Sequence, residues 1–530
     1  MLAHRARFTL AALSLATGLP ALEGHVPPRP AADRPNIIIV LIDDLAYHDI
    51  GHFGQRQFPT PHIDRLAEEG RVFTQAYAGG AWCAPSRTGL ITGRCDRFFA
   101  PVPDPAGGGL RFNPTIAEML RPVGYATAAI GKWHMLEPDD SADRQPPLPA
   151  QMPWNRGFEF CRIGPLRSWN CYFPHELLIG DDQSIPIPEN RTVDEAWFKE
   201  DYGVAQHFTV SHDGRGIYDS SGRFVDRSGT DITQLRHSED LYRREAVAFI
   251  TANTARPFLL YYASPLVHFP VVARDLSPFA GKPAAWTARH KAYAAMVQDV
   301  DASVGLIRDT VEALHLERNT IILFAADNGY TAGFNFPRSG EEWGSQLAMW
   351  DEVDLFRNRG PWNRGKHMNT IGGLIVPFIA WGPGRVAVGR TDRAIRFQDV
   401  MPTVRELAGA TAPGPLEGIG FLPLLEGRDA DQALHPPMHW GGQALRHATM
   451  DDDWREGAVR QTRPLPNGQF RPDAALLDER WFAMSFRGPE ETTIRLFDAR
   501  TDPAQELDVA AQHPDLVIRA RVELDPPTQR

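Results

Sequence analysis

The run Asn36–Ile42 reads Asn-Ile-Ile-Ile-Val-Leu-Ile and stops abruptly at Asp43-Asp44. A strand with one face in water alternates polar and apolar residues. One that is apolar throughout is covered on both faces, as a central strand of a parallel sheet is. Similar runs recur at 126–130, 258–263, 320–326 and 376–381, with helix-like segments such as 293–314 between them. That alternation predicts an α/β fold built on a mostly parallel central sheet flanked by helices. After the first strand, Thr60 as cap, Pro61 at the first helical position, Ile63 and Leu66 on a buried face and Gly70 as the stop predict a helix.

The residues just past the end of each strand carry more information than the strands themselves. The first strand leads into Asp43 and Asp44, the second into Lys132 and His134, the third into His268, and the fourth into Asp327 and Asn328. In open α/β sheets ligands bind beyond the carboxyl ends of the strands, so residues scattered along the chain can converge on one site. A single charged residue after a strand is ordinarily a solvated turn residue. Four sets in succession point to a site.

The chain has 530 residues, 43% hydrophobic and 23% charged, which suits one large domain and one small one. A net charge of −11 argues against non-specific binding to nucleic acid or to an acidic membrane surface. His4, Arg5 and Arg7 precede an apolar run from Phe8 to Leu22, the charge and length of a signal peptide over residues 1–24, so the chain is expected to be periplasmic or secreted. No later stretch is apolar enough to predict a membrane span. The four cysteines are at 83, 95, 161 and 171. Two disulfides would suit an oxidising compartment; with Cys83 given another role, Cys161 and Cys171 form a local candidate pair and Cys95 is expected to be a small buried residue.

The segment from Cys83 to Gly93, Cys-Ala-Pro-Ser-Arg-Thr-Gly-Leu-Ile-Thr-Gly, is the strongest local signal. Pro85 belongs in the first turn of a helix, whose unpaired N–H groups and dipole favour an anion near residue 83. A thiolate would be stabilised there too, so local physics predicts a reactive cysteine. Cys-x-Pro-Ser-Arg followed by Thr-Gly resembles the signature of the type I sulfatases, in which the cysteine is converted to formylglycine. The resemblance continues through Ile42-Asp43-Asp44-Leu45, Gly131-Lys132-Trp133-His134, His268-Phe-Pro270, Met296-Val-Gln-Asp-Val-Asp301, Asp327-Asn328-Gly329, Gly365-Lys366, Gly372-Gly373 and Asp399-Val-Met-Pro402-Thr403, and reaches Leu496-Phe497-Asp498 and Asp502-Pro503-Ala-Gln-Glu506.

The resemblance implies an alkaline-phosphatase-like catalytic domain over residues 35–430 and a smaller C-terminal α+β domain over 431–530, with a strand near 495–497. It implies a sulfuric ester hydrolase acting on a sulfated small molecule or glycan. The metal would be held by Asp43, Asp44, Asp327, Asn328 and the converted Cys83. Three carboxylates and an amide are hard oxygen donors that suit calcium, with magnesium behind it, and there is no Cys/His set of the kind zinc prefers. By the same resemblance, one hydroxyl of hydrated formylglycine attacks sulfur and displaces the alcohol, and the other expels sulfate and regenerates the aldehyde. Lys132 and Lys366 would meet the sulfuryl charge and Arg87 would orient the formylglycine. His268 would protonate the departing alcohol and His134 would move the proton that releases sulfate. The implied partner is a maturation enzyme, either formylglycine-generating or anaerobic. Two other readings fit the same residues: a phosphonate or phosphate ester hydrolase on the same fold, and a non-catalytic binder of sulfated glycans that keeps Cys83 as a thiol.

Two stretches depart from the family pattern or extend it. Where many members read Glu-Gly-Gly-x-Arg-Val-Pro, this chain has Ile371-Gly-Gly-Leu-Ile375-Val-Pro377, losing one acid and one base together. The segment 330–364 is long for a connection inside a compact domain, and it interleaves Phe334, Phe336, Trp343, Trp350, Phe356 and Trp362 with Arg338, Arg357, Arg359 and Arg364. Aromatic faces and arginines suit a sulfated sugar, so this segment is expected to wall the pocket. His48 and His52 are expected to be surface residues, and the stretch 456–475 a surface excursion.

Overall fold

The computed structural model describes residues 33–94, 110, 113–135, 151–163, 178–180, 237–268, 273, 275–283, 285–286, 288–331, 356–362, 365–366, 368–441, 473–487 and 492–524. A nine-stranded sheet forms the centre. Its spatial order is Gly389–Thr391, Arg71–Phe73, Phe378–Trp381, Thr320–Ala326, Asn36–Ile42, Phe258–Ser264, Ala126–Gly131, Phe160–Ile163 and Leu178–Gly180. The five strands from Thr320–Ala326 to Phe160–Ile163 are mutually parallel. Phe378–Trp381 runs against them, and Leu178–Gly180 is antiparallel to its neighbour at the other edge.

Every residue of Asn36–Ile42, Phe258–Ser264 and Thr320–Ala326 is buried, as unalternating apolar runs require. The sequence expectation for 376–381 is corrected at its start: the strand begins at Phe378, since Val376 N bonds Ala76 O at 3.0 Å, and it runs antiparallel to Thr320–Ala326. One group of helices, Pro61–Glu68, Ser238–Ala252 and Ala288–Ala313, packs together against the sheet. A second group, Cys83–Thr92, Ile116–Leu120 and Val400–Ala408, packs together elsewhere.

Two helix expectations need physical amendment. Thr60 stands at the N-cap of Pro61–Glu68 but makes no capping bond. Its hydroxyl instead takes Gly51 N and faces Asp64. The cap comes from Asp301 on the long helix, whose carboxylate accepts His62 N at 3.3 Å and Ile63 N at 2.8 Å. The expected 293–314 helix also begins earlier, at Ala288.

A second sheet, Met438–Trp440, Asp473–Leu477, Trp481–Arg487 and Thr492–Asp498, is antiparallel throughout, and the helix Pro514–Leu524 packs on it. Asp473 to Ala475 are therefore strand residues and not part of a surface excursion; 456–472 lie outside the described residues. The small sheet meets the large unit through a cluster of Tyr77, Ile371, Leu374, Ile375, Met438, Trp440 and Phe482. Ile371 and Ile375, where the family pattern carries an acid and a base, both lie in that cluster at 1% and 4% exposure. An apolar pair replaces a charged pair and is met by apolar neighbours, which removes the desolvation cost of a buried ion pair.

Candidate active site

The helix Cys83–Thr92 starts at Cys83 and ends in a left-handed Gly93. The signature residues around Cys83 fix this start. Ser86 Oγ accepts Gly79 N at 3.1 Å, and a side chain on Gly89 would meet the Gln398 amide at 2.8 Å and displace it. Trp440 of the second sheet donates to Ala78 O at 2.9 Å, holding the approach to the helix from outside.

The strand ends bring the other residues to this point. Cys83 Sγ lies 3.2 Å from Asp43 Oδ1, 3.5 Å from Asn328 Oδ1 and 3.8 Å from Lys132 Nζ. Lys132 also bonds Asp43 Oδ2, and Lys366 Nζ reaches Asp44 Oδ1 at 2.6 Å. Asn328 donates to the same Asp44 oxygen at 2.9 Å. Arg87 Nε donates to Asp327 Oδ2 at 2.8 Å with Nη2 ion-paired to the same oxygen at 2.8 Å, and the guanidinium stands 3.6 Å from Asp43 and donates to Lys132 O at 3.0 Å. His268 Nε2 is 3.8 Å from Asp44 Oδ2. Apart from His134, which is half-buried, every one of these side chains is buried.

Asp44 and His134 both sit in the left-handed region, with φ of 61° and 42°. Such strain in non-glycine residues is tolerated where surrounding structure fixes it, and it clusters at functional sites. Close backbone contacts also explain two glycines. A side chain at 329 would stand 2.1 Å from Gly372 O, and one at 373 would stand 2.0 Å from Met368 O.

The electrostatics divide the carboxylates. Burial alone would raise Asp43, but Lys132, His268, Arg87 and Lys366 together hold it well below the usual carboxylate range. Burial is likewise outweighed at Asp44, chiefly by Lys366 and His268, and its acidity rises. At Asp327 burial and the charge of Asp43 prevail over Arg87 and push the carboxyl up to about 6. Burial first, then Asp327 and Asp43, push the Cys83 thiol up, against the stabilised thiolate expected from the helix start alone. Burial and Lys132 lower His268 to about 4, and burial with Lys132 and Arg87 holds His134 well below its ordinary value.

Asp43, Asp44, Cys83 and Asp327 offer ligand atoms that all lie within 4.8 Å of one another. Asp44 Oδ2 is buried without a hydrogen bond, a position that a cation would satisfy. The donor set therefore fits a hard metal ion. All ten residues singled out from the sequence come together here. Sequence reasoning missed Tyr261, whose hydroxyl stands 3.5 Å from Arg87 Nη1, because it lies inside a strand that reads as plain core. Of the remaining expectations, His52 is exposed, whereas His48 is half-buried between Tyr47 and Trp362. Phe334, Phe336, Arg338, Trp343, Trp350, Arg364, Cys95 and Cys171, hence also the Cys161–Cys171 pairing, lie outside the described residues.

Comparison with known proteins agrees with this geometry. The sulfatase family model matches residues 35–410. Human N-acetylgalactosamine-6-sulfatase is 29% identical over 440 residues, 79% of this chain and 71% of its own. Human arylsulfatase D is 30% identical over 486 residues, 84% and 77% of the two chains. The solved structure of Ps i-CgsB shares the fold, with a TM-score of 0.61 over 92% of either chain at 24% identity. With a family match over most of its length, the chain belongs to the sulfatases, enzymes that hydrolyse sulfate esters.

Proposed function

We propose that the chain removes sulfate from sulfated carbohydrates, using formylglycine formed from Cys83 and a calcium ion held by Asp43, Asp44, Asp327 and Asn328. The observation that carries the catalytic reading is the convergence of Cys83, three buried carboxylates and the cations Lys132 and Lys366 on one point. The carbohydrate reading is supported by the sugar substrate in the name of the human relative, and by the aromatic and arginine content of 330–364.

When bound, the metal would neutralise negative charge at residue 83 and make a hydroxyl there more acidic. Lys132 and Lys366 are placed to hold the sulfuryl oxygens, and being buried they act at low dielectric without reorganising. Arg87 locks Asp327 and Asp43 in place and so fixes the carboxylates around residue 83. His268, beside Asp44, is placed to pass a proton to the departing alcohol. Burial and the charge of Lys132 keep this imidazole neutral, and the negative charge of the ester acts against both. His134, held neutral, can take up the proton that leaves with sulfate release. The reading also includes export, a boundary near residue 430 and maturation by a separate enzyme.

Turnover of a panel of sulfated sugars, an aryl sulfate and a phosphonate monoester by the matured protein tests the substrate class. Sulfated sugars should have the highest kcat/KM, and preference for the phosphonate would overturn the assignment. After chelation, calcium should restore turnover better than zinc.

A further inference from the structure

Asp49 lies five residues beyond Asp44, and its carboxylate is fully buried. It accepts Ala46 N at 2.8 Å, the Tyr293 hydroxyl at 2.5 Å and Asn358 Nδ2 at 3.1 Å. The Asn358 amide also stands 3.4 Å from the Tyr293 oxygen, and Asn358 O accepts His48 N at 3.3 Å. Three stretches distant in sequence thus meet on one carboxylate: the exit loop of the first strand, the long helix and the segment 356–362. None of the three side chains belongs to the chemistry described above.

The first of these stretches carries Asp44, which pairs at 2.6 Å with Lys366, four positions beyond Trp362 in the sequence. Trp362 packs its ring on Tyr47 at 4.7 Å and on His48 at 5.3 Å. Gly360 is left-handed, and a side chain there would stand 2.3 Å from the His48 ring, so the imidazole packs directly on the bare glycine. Phe356 is seated among Phe58, Trp286 and Tyr293. Lys366 N then bonds Tyr330 O at 2.6 Å. An apolar plug would anchor the segment at lower desolvation cost. A carboxylate with three directional donors also fixes its register.

We propose that Asn358, through Asp49, is a positioning residue that sets the Lys366 ammonium against Asp44, where the ammonium meets the sulfate group. This rests on the reading of Lys366 as a sulfate-binding cation. Shifting that ammonium by a fraction of an ångström weakens its contact with charge developing in the transition state more than its hold on the ground state. The loss therefore falls on kcat.

The test is a pair of double-mutant cycles on the mature enzyme with one sulfate ester, alongside melting temperatures. Asn358→Ala and Asp49→Asn should each lower kcat by ~10-fold or more with KM changed less than about 3-fold, since a displacement near 1 Å costs ~10²-fold. The exchange Asp49→Asn with Asn358→Asp keeps a donor facing an acceptor and should recover most of the loss. In a Lys366→Ala background, Asn358→Ala should cost less than about 2-fold, because the group it positions is gone. A full additive loss in that background, or an exchange variant no better than the single ones, overturns the proposal. A Lys366→Ala enzyme that is unimpaired sinks the reading of Lys366 itself and the proposal with it.

Discussion

Cys83 heads a helix, where a thiol would ordinarily ionise easily, yet burial and the carboxylates of Asp327 and Asp43 push its proton affinity up. A neutral buried thiol is a poor nucleophile. On the proposed reading the nucleophile is instead a hydroxyl of the converted residue. Active protein should show the formylglycine mass in the peptide spanning residues 83–87, and only thiol in fully active protein would sink the mechanism. His268 is tested through the leaving group: His268→Ala should lower kcat by ~10²-fold with a sugar alcohol and much less with a nitrophenol, which departs without a proton. Equal damage with both alcohols would remove it from the acid role. Apart from Lys366, which rests on the pair Gly365-Lys366, each site residue was legible because it comes after a strand or falls inside a dense signature. Asp49 and Asn358 were not, since a lone acid and a lone amide in loops have no period and their partner Tyr293 reads as an ordinary buried helix position.

At the level of elements, the hydrophobic runs located the five central strands because full burial leaves an unalternating pattern. Direction was less legible: Phe378–Trp381 is as apolar as its parallel neighbours and nothing in its four residues encodes that it runs the other way. The Asp301 cap was hidden for a similar reason, since it crosses from one helix to another 238 positions away. The short helix Ile371–Leu374 shows how two substitutions can be read as one. Its first amide donates to Gln505 at 2.8 Å, and its Ile371 and Ile375 side chains face Tyr77, Trp440 and Phe482. Ile371→Glu alone should bury an uncompensated charge and cost about 3 kcal/mol or more, read as a fall in melting temperature. Adding Ile375→Arg should restore part of it. A single variant as stable as the parent would show that water reaches this cluster.

For the whole molecule, the small sheet holds the approach to the catalytic helix through Trp440 on Ala78 O, and Gln505, beyond its last strand, holds the short helix Ile371–Leu374, so both sheets support the site although its chemistry comes from one. The chain segment 330–364 is the part that distinguishes substrates on the present reading. The structure describes only its edges. Phe356 and Trp362 are packed into the protein, whereas Arg357 is exposed and Arg359 half-buried. Aromatic side chains at these two points thus anchor the segment, and on the proposed glycan reading the arginines would contact the ligand. An extended sulfated oligosaccharide carries further anionic groups beyond the scissile ester, whereas a small aryl sulfate ends at its ring. Paired guanidinium contacts contribute binding energy only to the former. Arg357→Ala with Arg359→Ala should therefore raise KM about 5- to 20-fold for a polysulfated oligosaccharide, on the scale of one or two exposed charge contacts, while kcat and the constants for a nitrophenyl sulfate stay within about 2-fold. The contrast should shrink as salt rises, because exposed charges are screened. If both substrates respond alike, the segment does not read the glycan, and the enzyme is a general arylsulfatase.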